Sequence, residues 1–263
     1  MVGPTERVEF VCGSRSRQEV LLSLASEPRE RQTVVASTSA SESSVYDAMN
    51  RLSDRGFCYE RDDGYWALTG TGRAVADLLD RVGTVESVVD DTRPYFDEHD
   101  LGVVPDADRR ELHRLAGCEV VESPETDPFR AARRVRTAIA GADHVSILAP
   151  VYDDRFADAL VESDPDSARL VLEPEILELA PEDDANADET PPFAELVDIR
   201  VAELQFAMTV TDSGVFLSLP KLDGTYDPQT ELVRESDAAA GWGSTLFERI
   251  WERATPVESL VED

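Results

Sequence analysis

The stretch from Ser41 to Gly72 reads SESSVYDAMNRLSDRGFCYERDDGYWALTGTG, and few folds accommodate it. Ser41 is a helix N-cap residue. Val45, Met49 and Leu52 recur at i, i+4 and i+7, which sets one apolar stripe on a helix ending at Arg55. Gly56 supplies the left-handed stop. Phe57–Arg61 and Tyr65–Leu68 read as short strands around Asp62-Asp63-Gly64, a hairpin turn. Thr69 caps a further helix, Gly70–Val82. Upstream, Val8, Phe10 and Val11 open a short helix, and Ser14 caps a helix bearing Val20, Leu21, Leu22 and Leu24. Glu27-Pro28-Arg29 breaks it, and Glu30–Ala36 forms a short helix before a turn at Ser37–Ala40. Three helices, a hairpin and a following helix describe a winged helix-turn-helix.

Charge divides the chain in the same place. The formal net charge is -30, with 55 acids against 25 bases, and Lys221 is the one lysine. Residues 1–82 carry a net of -3 and residues 83–263 a net of -27. A nearly neutral head on a strongly acidic body fits a nucleic-acid-binding domain joined to a second domain. Carboxylate-rich, lysine-poor composition is expected of a halophilic protein, whose surface stays hydrated in molar salt. Residues 1–20 hold no apolar run of signal-peptide type, and the patch near Val145–Val151 is too short to span a bilayer, so a cytoplasmic location is expected.

Residues 8–80 resemble the N-terminal domain of archaeal winged-helix regulators. The resemblance rests on Gly13-Ser14, Ser43-Ser44-Val45-Tyr46, Arg55-Gly56, Tyr65, Leu68-Thr69 and Gly72. The second part resembles the effector domain of the methanogenesis-regulator type. There the matching residues are Leu115–Val121, Asp127-Pro128-Phe129, Ile147-Leu148-Ala149-Pro150, Leu172-Glu173-Pro174-Glu175 and the terminal helix from Trp242 to Ala254. The resemblance implies a haloarchaeal transcription regulator.

The overall class expected is α/β: a winged helix over residues 1–82, a helical linker over 83–102, and an α/β effector domain with a mixed sheet over 103–263. The linker, with Val82, Val85, Val88 and Val89 apolar, is expected either to pair with its mate in a homodimer or to pack on its own effector domain. In the second domain, helices are expected at Asp106–Leu115, Asp127–Ala140, Asp153–Ser163, from Glu175, and at Ala238–Ala254. Strands are expected at Cys118–Val121, His144–Pro150, Ala168–Leu172, Ile199–Glu203, Phe206–Val210 and Val215–Leu219, with Glu231–Glu235 as an edge strand. Asp183–Pro192 reads as an acidic loop.

A recognition helix places its N-terminal residues in the major groove of double-stranded DNA. With Val45, Met49 and Leu52 inward, Ser43, Ser44, Tyr46, Asp47, Asn50 and Arg51 face outward. The expected DNA contacts are Ser43, Ser44, Tyr46, Asn50 and Arg51, with Arg31 and Gln32 on phosphate and Arg61 and Tyr65 in the wing. Glu42, Asp47 and the Asp62-Asp63 wing tip oppose phosphate, although Asp47 can also pair with Arg51 at i+4. The alternative is a winged helix that has lost DNA and serves protein interaction or dimerisation.

No catalytic group is expected. The chain lacks G-x-S-x-G, a P-loop, H-E-x-x-H and GxGxxG, and no histidine is followed two residues later by lysine, as phospholipase D-like chemistry requires. Cys12, Cys58 and Cys118, with His99, His113 and His144, show no metal spacing, so neither metal nor cofactor is expected. What remains is sensing of a small-molecule effector in a concave apolar pocket with a few polar anchors. Strand ends and loops nominate Pro150, Tyr152, Glu173, Lys221, Tyr226 and Trp242 as its lining.

Overall fold

The computed structural model describes residues 6–151, 154–178 and 197–260. They form two compact units, Met1–Glu86 and Ser87–Asp263.

In the first unit, α1 (Glu6–Cys12), α2 (Arg15–Ser23), α3 (Arg31–Ala36) and α4 (Glu42–Asp54) precede a hairpin of β2 (Cys58–Glu60) and β3 (Tyr65–Leu68). A two-residue strand, β1 (Arg29–Glu30), pairs antiparallel with β3 and completes a three-stranded sheet ordered β1-β3-β2. Glu30 belongs to this strand and not to the helix, because Arg29 and Glu30 pair with Trp66 and Tyr65. The Ser14 and Ser41 hydroxyls accept from the Arg17 and Ser44 amides, closing the N-termini of α2 and α4. At the end of α4, Gly56 takes φ 74°, its amide reaches the Ser53 carbonyl, and the Phe57 amide reaches Leu52. That is a Schellman stop, and it turns the chain straight into the wing. Val20, Leu21, Val45, Met49, Leu52, Phe57 and Trp66 make the core between the helices and the sheet.

The Leu68-Thr69…Gly72 motif closes this core. The Thr69 hydroxyl accepts from the Gly72 amide at 3.0 Å and donates to the Gly56 carbonyl at 2.6 Å. A Cβ on Gly72 would lie 1.9 Å from the Phe57 carbonyl oxygen, so only glycine lets the next helix approach the wing this closely.

That helix, α5, runs unbroken over Gly70–Glu98. Two helices had been expected, split at Gly83. A single interior glycine costs roughly 1 kcal/mol of propensity, which is too little to end a helix of this length. Of the expected valine stripe, Val88 is buried while Val82 and Val89 are exposed. The buried line is instead Val88, Thr92, Tyr95 and His99, at helical spacing within the second unit.

Among the described residues, the second unit holds an eight-stranded mixed sheet in the order 255–256, 197–201, 167–172, 144–149, 207–211, 214–218, 230–235 and 119–122. Its strands are β4 (Glu119–Glu122), β5 (His144–Ala149), β6 (Ser167–Leu172), β7 (Val197–Val201), β8 (Ala207–Thr211), β9 (Gly214–Ser218), β10 (Thr230–Glu235) and β11 (Thr255–Pro256). β5, β6 and β7 are parallel, and every other pairing is antiparallel. The expected edge strand Glu231–Glu235 is internal: β10 lies between β9 and β4, and β4 takes the edge. The expected Asp106–Leu115 helix is a single turn, α6 (Asp106–Arg109), followed by a 3-10 turn at Leu112–Leu115.

Strand alternation assigns the two faces. Val145, Ile147, Leu170, Phe216 and Val233 pack with Val135 and Ile139 of α7 (Arg130–Ile139) and Leu160 of α8 (Asp154–Ser163). The opposite face carries α10 (Asp237–Trp251). Gly243 of α10 sits against Val210 and Val215, and Arg169 of β6 bonds Glu248 and lies over the Phe247 ring. The short helix α9 (Pro174–Glu178) follows β6. The expected acidic loop at Asp183–Pro192 and the proposed pocket residue Tyr152 lie outside the described residues.

Candidate functional site

Packing determines which face of α4 is presented. Val45, Ala48, Met49 and Leu52 are buried, while Ser43, Ser44, Asp47, Asn50 and Arg51 are exposed and Tyr46 is half-buried. Ser43, Asp47 and Asn50 follow one another at i, i+4 and i+7, a single outward line. The N-termini of α2 and α4 meet at a shallow depression lined by Ser14, Ser16, Arg17, Ser43, Ser44 and Asp47. Two helix N-termini and four hydroxyls at one place favour an anion. Sequence reading missed Ser14, Ser16 and Arg17 there, because the approach of α2 to α4 is a tertiary contact. Burial, then the charges of Arg51 and Arg55, hold the Arg17 guanidinium below the usual range, so three cations act on one another on this side of the domain.

Each expected cationic or phenolic contact already has a carboxylate partner. Arg51 pairs with Asp47 at 2.8 Å, Arg31 with Glu60 at 3.5 Å and Arg61 with Asp63 at 3.1 Å. The Tyr46 hydroxyl donates to Glu42 at 2.6 Å, a bond that raises its pKa, and a bond to Glu30 does the same for Tyr65. Arg31 also lies over the rings of Tyr46 and Trp66. Among the described residues, the exposed side chains of Gln32 and Asn50 have no hydrogen-bond partner. Exposed pairs of this kind are worth about 0.2–1 kcal/mol each, whereas one bidentate base contact is worth about 1–3 kcal/mol. The pairs therefore hold the side chains in place without barring an exchange of partner.

The second unit encloses a cavity of about 340 Å³ where the parallel and antiparallel halves of the sheet meet. Ala149 and Pro150 at the carboxyl end of β5 form its floor with Ala207 and Thr209 of β8. Phe129 and Val135 from α7 and its approach, Arg155 and Phe156 of α8, and Tyr226, Pro228, Gln229 and Glu231 from the loop and β10 complete its lining. Of the nominated pocket residues, the fold brings Pro150 and Tyr226 together here. Glu173 lies elsewhere: at the end of β6 its carboxylate accepts from the Leu204 amide, and burial raises its pKa. Lys221 is exposed at a turn, bridged to His99 through the backbone. Trp242 is 2% exposed, and its indole donates to the Asp108 carbonyl at 3.0 Å, which makes it a core residue on the α10 face.

Sequence reading missed Phe129, Arg155, Phe156 and Glu231. One signal for Glu231 was available: two residues before buried Val233, strand alternation points it at the same helix-covered face. Behind the cavity wall, Asp227 is buried and accepts from the Thr230 hydroxyl at 2.8 Å, and its carboxylate lies 3.0 Å from His99 Nε2. His99 Nδ1 is 2.8 Å from the Tyr95 carbonyl, and its ring stacks on Tyr95 at 4.0 Å. The wall segment is thus tied to the last turns of α5. Burial pushes the Cys58 thiol up to about 12 and Cys118 to about 11, so neither is a thiolate at neutral pH. Among the described residues, no cluster of three or more His, Cys, Asp or Glu side chains is placed to hold a metal. Nor is any described helix long and apolar enough to cross a membrane.

Comparison with known proteins meets this geometry in both units. Residues 5–89 match the HVO_A0261 N-terminal domain, and residues 128–253 match the middle domain of the methanogenesis regulatory protein FilR1. The two matches fall one in each unit. The methanogenesis regulatory protein FilR1 of Methanothrix harundinacea is 22% identical over 96% of this chain and 58% of its own length. The chain thus spans little more than half of that relative's length. Among solved structures, TrmBL2, an archaeal chromatin protein, is similar over 91% of this chain and 92% of its own, at 13% identity and TM-score 0.40. CalO1, a methyltransferase in calicheamicin biosynthesis, covers 76% of this chain and 65% of its own at 16% identity and TM-score 0.24. Likenesses this low add nothing to the assignment.

Proposed function

We propose that this chain binds promoter DNA through α4 and regulates transcription in response to a small molecule held in the second unit. The observation that carries the reading is the outward line Ser43, Asp47 and Asn50 on a capped helix, beside the joined N-termini of α2 and α4. In this docking the serines and helix ends meet phosphate, while Asn50 and Arg51 reach base edges. Arg31 and Gln32 flank the backbone, and Arg61 and Tyr65 lie along the adjacent groove. The cavity and its tie to α5 support sensing. The protein acts as a homodimer in the cytoplasm of a halophile and performs no catalysis. A direct test is competition between the chain's own upstream duplex and a scrambled duplex in KCl: preference for the first supports the reading, and equal affinity sinks it.

The carboxylate partners of Arg31, Arg51 and Arg61 favour a second reading, in which the winged helix docks a protein partner or a second copy. Under it, Asn50→Ala and Arg51→Ala leave DNA affinity unchanged and alter assembly.

A further inference from the structure

Within the cavity of the second unit one group stands apart. Much of the lining is apolar or aromatic, with Phe129, Phe156 and Tyr226, and its polar members are Arg155, Thr209, Gln229 and the acid Glu231. Among the described residues, no hydrogen bond or ion pair reaches that carboxyl. The residue is half-buried at the cavity, and desolvation there pushes its pKa up to about 8. The titratable groups that share the cavity are Arg155 on α8 and Tyr226 on the loop, and the Arg155 guanidinium lies over the Phe129 ring, 4.6 Å from its centroid.

A carboxyl partly stripped of water and left without a protein partner weakens a fold, and a glutamine or leucine on this face of β10 would be the more stable choice. No described residue satisfies it, and it faces a cavity able to hold a partner, so a bound molecule is the natural one. We propose that the cavity is the effector site, and that it takes a small apolar or aromatic molecule carrying a protonated amine, whose ammonium group pairs with Glu231. This rests on the sensing reading above and gives it a ligand class.

The chemistry fits on three counts. Near pH 7 most of the unoccupied Glu231 is protonated, and ionising it costs about a tenfold factor in equilibrium, less than a buried charge-assisted contact returns. Aromatic faces receive an organic cation well. The volume of about 340 Å³ is at the small end of ligand sites and admits a single-ring molecule. Proton balance follows: a free ammonium ion enters, the Glu231 proton leaves to solvent, and an ammonium–carboxylate pair remains.

The test uses the full chain in KCl at pH 7 with three probes of similar shape: benzylammonium chloride, benzyl alcohol and sodium benzoate. Calorimetry in two buffers of different ionisation heat reads affinity and proton release together. The expected result is saturable benzylammonium binding with about one proton released per ligand. Glu231→Gln is expected to weaken it by about tenfold or more, while benzyl alcohol and benzoate bind the two proteins alike. Unfolding curves of both proteins confirm that the variant is folded. The assignment is overturned if benzylammonium binds the variant equally, if benzoate or benzyl alcohol is preferred, or if none of the three binds. Affinity for the upstream duplex, measured with and without saturating benzylammonium, is a separate readout. If the amine binds as expected and duplex affinity does not move, the ligand class stands and sensing fails.

Discussion

At Glu231, burial holds the carboxyl near 8 in the folded protein against an ordinary value of 4.5. The folded state therefore keeps a proton that the unfolded chain gives up at lower pH. Between about pH 4.5 and about pH 8 the folded form binds more protons, so stability contributed at this site falls as pH rises and levels off above. Many other acids titrate as well, so the informative quantity is the difference between the native chain and Glu231→Gln in urea titrations across pH. That difference is expected to grow in favour of the variant from pH 5 to pH 8. A constant difference would mean the carboxyl is solvated. Gly72 makes a purely steric prediction. Gly72→Ala drives a methyl group into the Phe57 carbonyl and is expected to cost about 1–3 kcal/mol in the same experiment. The two residues differ in how openly the sequence announces them. Gly72 sits in a local motif with Leu68 and Thr69, and local chemistry is legible. Glu231 matters because β10 is internal and lines the cavity; alternation from Val233 gives its face, but nothing near position 231 gives the strand order or the cavity. Trp242 shows the converse: an aromatic beside two glycines drew notice, yet its partner, Asp108, lies far off in sequence.

Among elements, α4 carries the central functional expectation. Its caps, stripe and stop are all local, and the structure has each of them where periodicity placed it. Arg51→Ala and Asn50→Ala are each expected to cost about 1–3 kcal/mol at a cognate site and to relax one base position. Asp47→Asn, which releases Arg51 from its 2.8 Å pair, is expected to tighten binding to all duplexes. Anisotropy titrations on matched and single-base-changed duplexes decide both points. Other elements were less legible. β1 has two residues and exists only because β3 offers it an edge, so no periodicity could reveal it. α5 absorbed the expected break at Gly83 because Val88, Thr92, Tyr95 and His99 bury a continuous line beyond it. The His99–Asp227 bond at its end makes a further prediction. His99→Ala leaves Asp227 buried without that partner, and should destabilise the chain by about 1–3 kcal/mol and weaken ligand binding through the 226–231 wall.

For the whole molecule, charge sets the terms of any encounter with DNA. A protein that only releases counterions loses affinity with a log-log slope of about -0.9 per neutralised phosphate. Here Glu42 and Asp47 on α4 and Asp62 and Asp63 in the wing come close to phosphate in the proposed docking, and carboxylates brought against DNA take up cations. The slope against KCl is therefore expected to be shallower than in a Glu42→Gln, Asp47→Asn variant, which should also bind more tightly at low salt. Equal slopes would move those acids away from the phosphates and require another docking face. The central claim, that α4 reads DNA sequence, is met most directly by the ratio of affinities for the upstream duplex and a scrambled duplex of equal length. In the full chain that ratio is expected to be about a thousandfold or more, and to fall by about tenfold or more in an Asn50→Ala, Arg51→Ala variant. A ratio near one in the native chain, or one that the double substitution leaves unchanged, contradicts the account.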